Sequence, residues 1–273
     1  MNSKLLRHHA PLGALFLIVL GLVAAGPLHT PAGYHAFADQ RLLWGMPRAM
    51  DVLSNLPFLL VGLVGLVGVG RGRWLAAPVR WSMRAFFLAI MLTAAGSWWY
   101  HLQPDDVRIV WDRLPIALAC GALLAAVMEE CSSVRPPLGW LPTLLLASGA
   151  SVALTSDALW LAPGDLRPYL ALQLTLLVVV PLLQWRAGLA WSQRRLWLAA
   201  VGAYVLAKLL EVADAPVMHL TGMLSGHTLK HVFAALGAWL VWRAFRLRKL
   251  AGPAVEAGAG RPAAQWTMRG VSS

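Results

Sequence analysis

"SGHTLKHVFAALGAWLVWRAF", Ser225–Phe245, makes two opposite demands on one helix. From Val232 onward about fourteen mostly apolar residues read as a helix entering lipid. His227 and His231 stand one turn apart at its mouth, where polar groups are costly unless engaged. The rest of the chain says what engages them.

The 273 residues are 59% hydrophobic and 13% charged, and the mean hydropathy is +0.63. Soluble domains carry about 25% charged residues, so the composition is that of a membrane protein. A net charge of +11 raises nucleic acid as a partner. The basic residues, however, lie in short clusters between apolar runs, as in the cytoplasmic loops of a membrane protein, and nucleic acid is set aside. Cys120 and Cys131 offer neither a disulfide framework nor metal spacing and read as apolar-phase residues.

Apolar runs of about 17–25 residues are long enough to cross a bilayer as helices. Eight are read: Leu12–Leu28, Val52–Val69, Ala85–Leu102, Val110–Met128, Leu138–Leu154, Tyr169–Trp185, Leu196–Val212 and His227–Phe245. The predicted fold is an all-α polytopic helix bundle, a seven-helix core over 31–250 preceded by one hydrophobic segment in 1–30. That segment reads either as a first span or as a cleaved signal peptide, because a basic start precedes its apolar core. Residues 251–273 read as a disordered cytoplasmic tail.

Basic clusters mark the cytoplasmic side. They are Lys4 and Arg7; Arg71, Arg73, Arg80 and Arg84; Arg186, Arg194 and Arg195; and Arg243, Arg246, Arg248 and Lys249. Both termini are therefore expected inside, against one weak vote from the loop of Glu129, Glu130 and Arg135. The alternate loops carry carboxylates (Asp39, Asp51, Asp105, Asp106, Asp157, Asp165, Glu211, Asp214) and only scattered arginines.

On this topology "GSWWYHL" ends the third helix at the outer side, with Ser97 and His101 on one face. "VWDRLP" starts the fourth there with Asp112, and "SGHTLKH" starts the eighth there with His227 and His231. Three histidines, a serine and an aspartate thus converge at one depth, although none was used to orient the chain. Three neutral imidazoles with one open position are the ligand set of a catalytic zinc. Zinc binding is worth about 10–16 kcal/mol at structural sites, more than the few kcal/mol that polar groups cost near a bilayer edge. Asp112 then reads as general base and later general acid, and Ser97 as a donor to a developing oxyanion or to the attacking water.

Plainer readings stand beside these. His8, His9, His29, His35 and His219 read as solvated interfacial residues, and Asp112 beside Arg113 also fits a surface ion pair. Arg113 itself reads most simply as an interfacial anchor, with contact to a polar headgroup as the alternative, and Trp98, Trp99 and Trp111 as an aromatic belt, with a lipid entry path as the alternative. Tyr204, Lys208 and Glu211 share a face of the seventh helix, with Lys208–Glu211 read as a packing ion pair and second-shell support as the alternative. Asp51 and Asn55 lie one turn apart, anchoring a loop or supporting the site.

"SNLPF" at Ser54–Phe58, "GSWWYHL" leading to "VWDRLP", and "SGHTLKH" together resemble the alkaline ceramidase family. That family belongs to a superfamily of seven-helix membrane hydrolases that includes the adiponectin and progestin receptors. The resemblance covers roughly Asp39 to Phe245. It implies an intramembrane zinc amidase, with zinc on His101, His227 and His231 and with Ser97 and Asp112 as the remaining active-site pair. The substrate it implies is a ceramide-like lipid cleaved to a sphingoid base and a fatty acid. Eukaryotic members also bind calcium through an acidic stretch before the core; here that stretch offers only Asp39 and Asp51, and calcium is not assigned. A bacterial inner membrane, with the site near its periplasmic side, is the expected location. The competing functions are a receptor-like or structural bundle stapled by a closed zinc site, with Asp112 as fourth ligand, and a haem protein. Haem fits poorly, since its axial ligands come from opposite faces of the ring.

Overall fold

Each of the eight apolar runs is helical, as expected of segments whose backbone groups must pair within themselves. The computed structural model describes residues 3–71, 75–132, 134, 136–156 and 164–251; Arg73, Arg135, Asp157 and the tail from Gly252 lie outside the described residues. The first run is α1 (Ser3–Ala24). The second is α2 (Ala49–Leu53) and α3 (Leu56–Arg71), with Pro57 tolerated in the first turn of α3. Then come α4 (Ala77–Leu102), α5 (Arg108–Cys131) and α6 (Trp140–Ala153).

Two runs are interrupted where proline removes a donor. In the sixth, α7 (Arg167–Leu174) passes through a π-helical turn, Thr175–Val179, into α8 (Val180–Arg186). Pro181 has no N–H to return to Leu177, and the Thr175 hydroxyl back-bonds to the Ala171 carbonyl at 2.7 Å, so the α-helical ladder loosens there. The seventh, α9 (Trp191–Val212), breaks at Ala213 and turns by 83° into α10 (Asp214–Thr221). Pro216 explains the bend, because a continuous helix would drive its ring into the Val212 carbonyl. The last run is α11 (Gly226–Ala251).

Four of these segments are long and apolar enough to cross a membrane: Ala49–Arg71, Ala77–Leu102, Arg108–Cys131 and Arg167–Arg186. The bent pair α9 and α10 makes a fifth if counted as one span. The all-α helical bundle is as expected, but among the described residues four or five spans, not eight, are long and apolar enough to cross a bilayer. The apolar stretches His8–Ala24 and Trp140–Ala153 are shorter.

The helices close into a ring: α11 packs between α9 and α3, α3 on α4, α4 on α5, and α5 on the sixth run, whose α8 returns to α9. Outside this ring α6 lies against α5, and α1 against the sixth run. Leu60, Leu63 and Val67 on α3, Leu88 and Leu92 on α4, and Leu209 on α9 are exposed on the outside. A surface this apolar is solvated by lipid rather than water.

The segment 25–48 folds across the end of the ring that carries the histidines. It includes a two-residue hairpin, Leu42–Leu43 with Met46–Pro47, turned by Trp44 and Gly45, both at positive φ. Asp214 accepts the Ala38 N–H at 2.8 Å, and Asp165 accepts the Leu28 N–H at 3.3 Å. The Arg167 side chain bonded to Asp165 holds that carboxyl down at about 2, so it stays ionised as an acceptor. Burial alone would raise the Asp39 carboxyl, but hydrogen bonds from Arg41 hold it below the usual range. Arg41 also reaches the Met223 carbonyl at 2.6 Å, tying the hairpin to the loop before α11.

Candidate metal centre

The last turn of α4 and the first two turns of α11 bring His101, His227 and His231 together. All three are buried, and one ring nitrogen of each lies within 4.8 Å of the others. The Nε2 atoms of His101 and His227 are 3.2 Å apart. Ligand nitrogens at about 2.0–2.1 Å from a tetrahedral zinc lie about 3.3 Å from one another, so the spacing already suits the ion. Nitrogens gathered around one point leave no room for a porphyrin ring between them, which removes the haem reading.

The start of α11 is fixed by two acceptors. Ser225 caps it, its hydroxyl accepting the Thr228 N–H at 2.8 Å, and Asp214 accepts the His227 N–H at 2.8 Å. Gly226 permits the approach: a Cβ there would overlap the Leu210 carbonyl oxygen and stand 2.8 Å from the Asp214 Cα. Arg48 performs the matching task on α4. Its guanidinium donates to the carbonyls of His101 at 2.7 Å and Leu102 at 2.8 Å, filling acceptors that a helix end leaves open. It does so from a left-handed backbone conformation (φ 49°), which costs about 1–2 kcal/mol in a non-glycine residue.

His231 is oriented by Ser54, the first residue of "SNLPF". The Ser54 hydroxyl donates its single proton to the Asp51 carbonyl at 2.9 Å. Toward His231 Nδ1, at 2.8 Å, it must therefore accept. That places the imidazole proton on Nδ1 and the lone pair on Nε2, the tautomer a metal requires. Asp51 itself accepts from Ser225 at 2.9 Å and Thr228 at 2.6 Å, joining α2 to the cap of α11. Ser54→Ala removes the orienting acceptor without touching a ligand. It is expected to weaken metal affinity about 10–100-fold in a competitive chelator titration, with the fold retained.

Ser97 and Asp112 meet because α4 and α5 touch at Gly96, where a Cβ would overlap the Trp111 carbonyl oxygen. The next residue on each helix is Ser97 and Asp112. The two side chains face one another, the Ser97 hydroxyl toward the Asp112 carboxylate. With His231 they line a cavity inside the ring of about 190 Å³, partly open to the surroundings. Among the described residues the group that could hold a metal ion is His101, His227 and His231, and Asp112 is not grouped with them.

Several residues that sequence reading treated as bystanders belong to this site. Lys208 and Glu211 do pair, at 2.7 Å, but Lys230 joins the same carboxylate at 2.7 Å and stands 3.3 Å from His227 Nε2. Tyr204 donates to Gln173 at 2.6 Å, linking α9 to α7 across the cavity. Phe37 lies edge-on to His101 and His227, 4.7 and 4.5 Å between ring centres. His35 is not simply solvated: it bridges the Tyr100 hydroxyl and Asp106 at 2.8 and 3.0 Å. Arg113 is 5% exposed and lines the cavity, so the reading of it as an interfacial anchor fails. Trp98, Trp99 and Trp111 are partly exposed, as belt residues would be, and both cysteines are free. Asn55 donates back to its own helix at Asp51 and Val52. The chain matches no family model and no curated protein.

Proposed function

We propose that the protein is an integral-membrane, zinc-dependent hydrolase that cleaves the amide bond of a lipid, with ceramide as the nearest guide to its substrate. The carrying observation is a three-histidine group opening onto an apolar cavity that also presents Asp112 and Ser97. When bound, zinc supplies a Lewis acid and an acidified water. Asp112 would take the proton of an attacking water and return it to the departing amine. Ser97, beside Asp112, would donate to the oxygen on which charge develops. His231, held by Ser54, keeps its lone pair toward the site, and the apolar wall takes the acyl chain and keeps bulk water out. The basic clusters of the loops support placing this end on the non-cytosolic side, the periplasmic face of a bacterial inner membrane.

A structural zinc staple is completed by a fourth protein ligand. Among the described residues Asp112 is not grouped with the histidines, which favours catalysis over a receptor-like or purely structural role. Purified, zinc-loaded protein in detergent is expected to release fatty acid from long-chain amide lipids, read by mass spectrometry. Asp112→Asn should lower the rate by about 10²–10⁴-fold while leaving zinc bound. Absence of release by the wild type from ceramides, N-acylethanolamines and N-acyl amino acids alike would sink the reading.

A further inference from the structure

Every other described arginine at the histidine end has its guanidinium answered. Arg41 pairs with Asp39, Arg108 with Asp105 and Arg167 with Asp165, while Arg48 covers two backbone carbonyls. Arg113 does not. Among the described residues no ion pair joins it to a carboxylate, although it is 95% buried. Its polar contact is a long one, 3.4 Å to the Thr30 hydroxyl, and its guanidinium sits 5.4 Å from the centre of the Tyr34 ring. A guanidinium carries five N–H donors, so most of its capacity is unused.

The cavity wall carries three cations, Arg113, Lys208 and Lys230, against two carboxylates, Asp112 and Glu211. Glu211 is shared by both lysines, and Asp112 lies near enough to Arg113 to interact with its charge, but among the described residues the two form no direct ion pair. A buried guanidinium with most of its donors unpaired is costly in a membrane protein and marks a place for a polar group of a ligand. The remaining wall is apolar, with Phe86, Ile90, Leu123, Leu176 and Val241, and suits a single acyl chain. Arg113 follows Asp112 in the chain and meets Thr30 and Tyr34 of the covering segment.

We propose that Arg113 receives a carboxylate carried by the amine half of the lipid, so that the site takes N-acyl amino acids in preference to neutral amides of equal chain length. The position decides between two possible carboxylates. The carboxylate of a released fatty acid is the reacted carbon itself and belongs at the histidines. Arg113 is not among the charged groups that act on the three imidazoles, so a carboxylate held there is a second one, which the amine half carries. This rests on the amide-hydrolase reading for the identity of the ligand, but carboxylate preference is a binding property and is measured without turnover. A planar carboxylate matches the guanidinium fork as a pair of charge-assisted hydrogen bonds.

The test is a scintillation-proximity assay on the full-length protein in detergent, with tritiated N-oleoylglycine displaced by unlabelled N-oleoylglycine, N-oleoylethanolamine or oleate. N-oleoylglycine is expected to compete at least about 10-fold more strongly than the ethanolamide or oleate. Arg113→Gln should remove that advantage while changing ethanolamide binding less than about two-fold, and Arg113→Lys should keep part of it. Equal competition by the glycine and ethanolamine amides in the wild type overturns the proposal, and that comparison needs no variant to fold. So does an Arg113→Gln protein that weakens both amides alike, or oleate competing as well as N-oleoylglycine. An Arg113-dependent preference without any hydrolysis leaves the carboxylate site standing and removes the hydrolase. Hydrolysis of neutral amides without the preference does the reverse.

Discussion

Elemental analysis of the purified wild type is expected to return about one zinc per chain, and His231→Ala essentially none. The same loss is expected for His101→Ala and His227→Ala, because the ligand nitrogens form one group within 4.8 Å and none is spare. Losing a ligand from a three-histidine site costs more than losing a partner behind it, which is worth about 10–100-fold in affinity. Part of the loss is also structural. His101 is fully buried and packed against Phe37, so alanine leaves a void at the meeting point of α4, α11 and the segment 25–48. The variants should therefore unfold at lower temperature even in the presence of chelator. Zinc retained at full stoichiometry in any single variant would show that the ion sits elsewhere.

Gly226→Ala is expected to lose metal binding nearly as completely, although it alters no ligand. The added methyl would press on the Leu210 carbonyl oxygen, with the Ala213 carbonyl oxygen 2.9 Å away. These are backbone atoms of the α9–α10 corner and cannot rotate aside. Overpacking of this kind costs about 1–3 kcal/mol, and the relief available is to lift the start of α11 away from Asp214. That movement carries His227 and His231 off His101. Gly237→Ala is the matched control on the same helix: its nearest neighbour would be the Ala200 carbonyl oxygen at 3.4 Å, an ordinary contact. Metal content and thermal unfolding of the two proteins should diverge sharply. Equal behaviour would mean that the corner gives way without disturbing the site.

Helices and metal ligands were legible in the chain for the same reason: both are set by short-range spacing. The apolar runs give the helices, and i, i+4 spacing puts His227 and His231 on one face. Basic loops then bring Ser97, His101 and Asp112 to the same end. What could not be read depends on contacts between distant elements. Ser54 and His231 are 177 residues apart, and no local pattern announces their hydrogen bond. Lys230 looked like an incidental residue between two histidines because its partner, Glu211, lies across a helix break. Arg48 was one of the scattered loop arginines, and Arg113 read most simply as an interfacial anchor. One turned out to close the end of α4 from an uncommon backbone conformation, the other to be buried. Charge type is visible in a sequence, whereas burial of a charge is a property of the ring that encloses it.

The covering segment also bears on how a metal comes and goes. Phe37 lies across two of the three imidazoles, and the chain on either side of it is fastened at Asp165, Asp214 and the Met223 carbonyl. Dissolved ions therefore reach the nitrogens from that side only when several fastenings let go together, an opening event of the kind that sets exchange in locally stable structure. Exchange through that side would follow how often that event occurs, and adding more chelator would not hurry it.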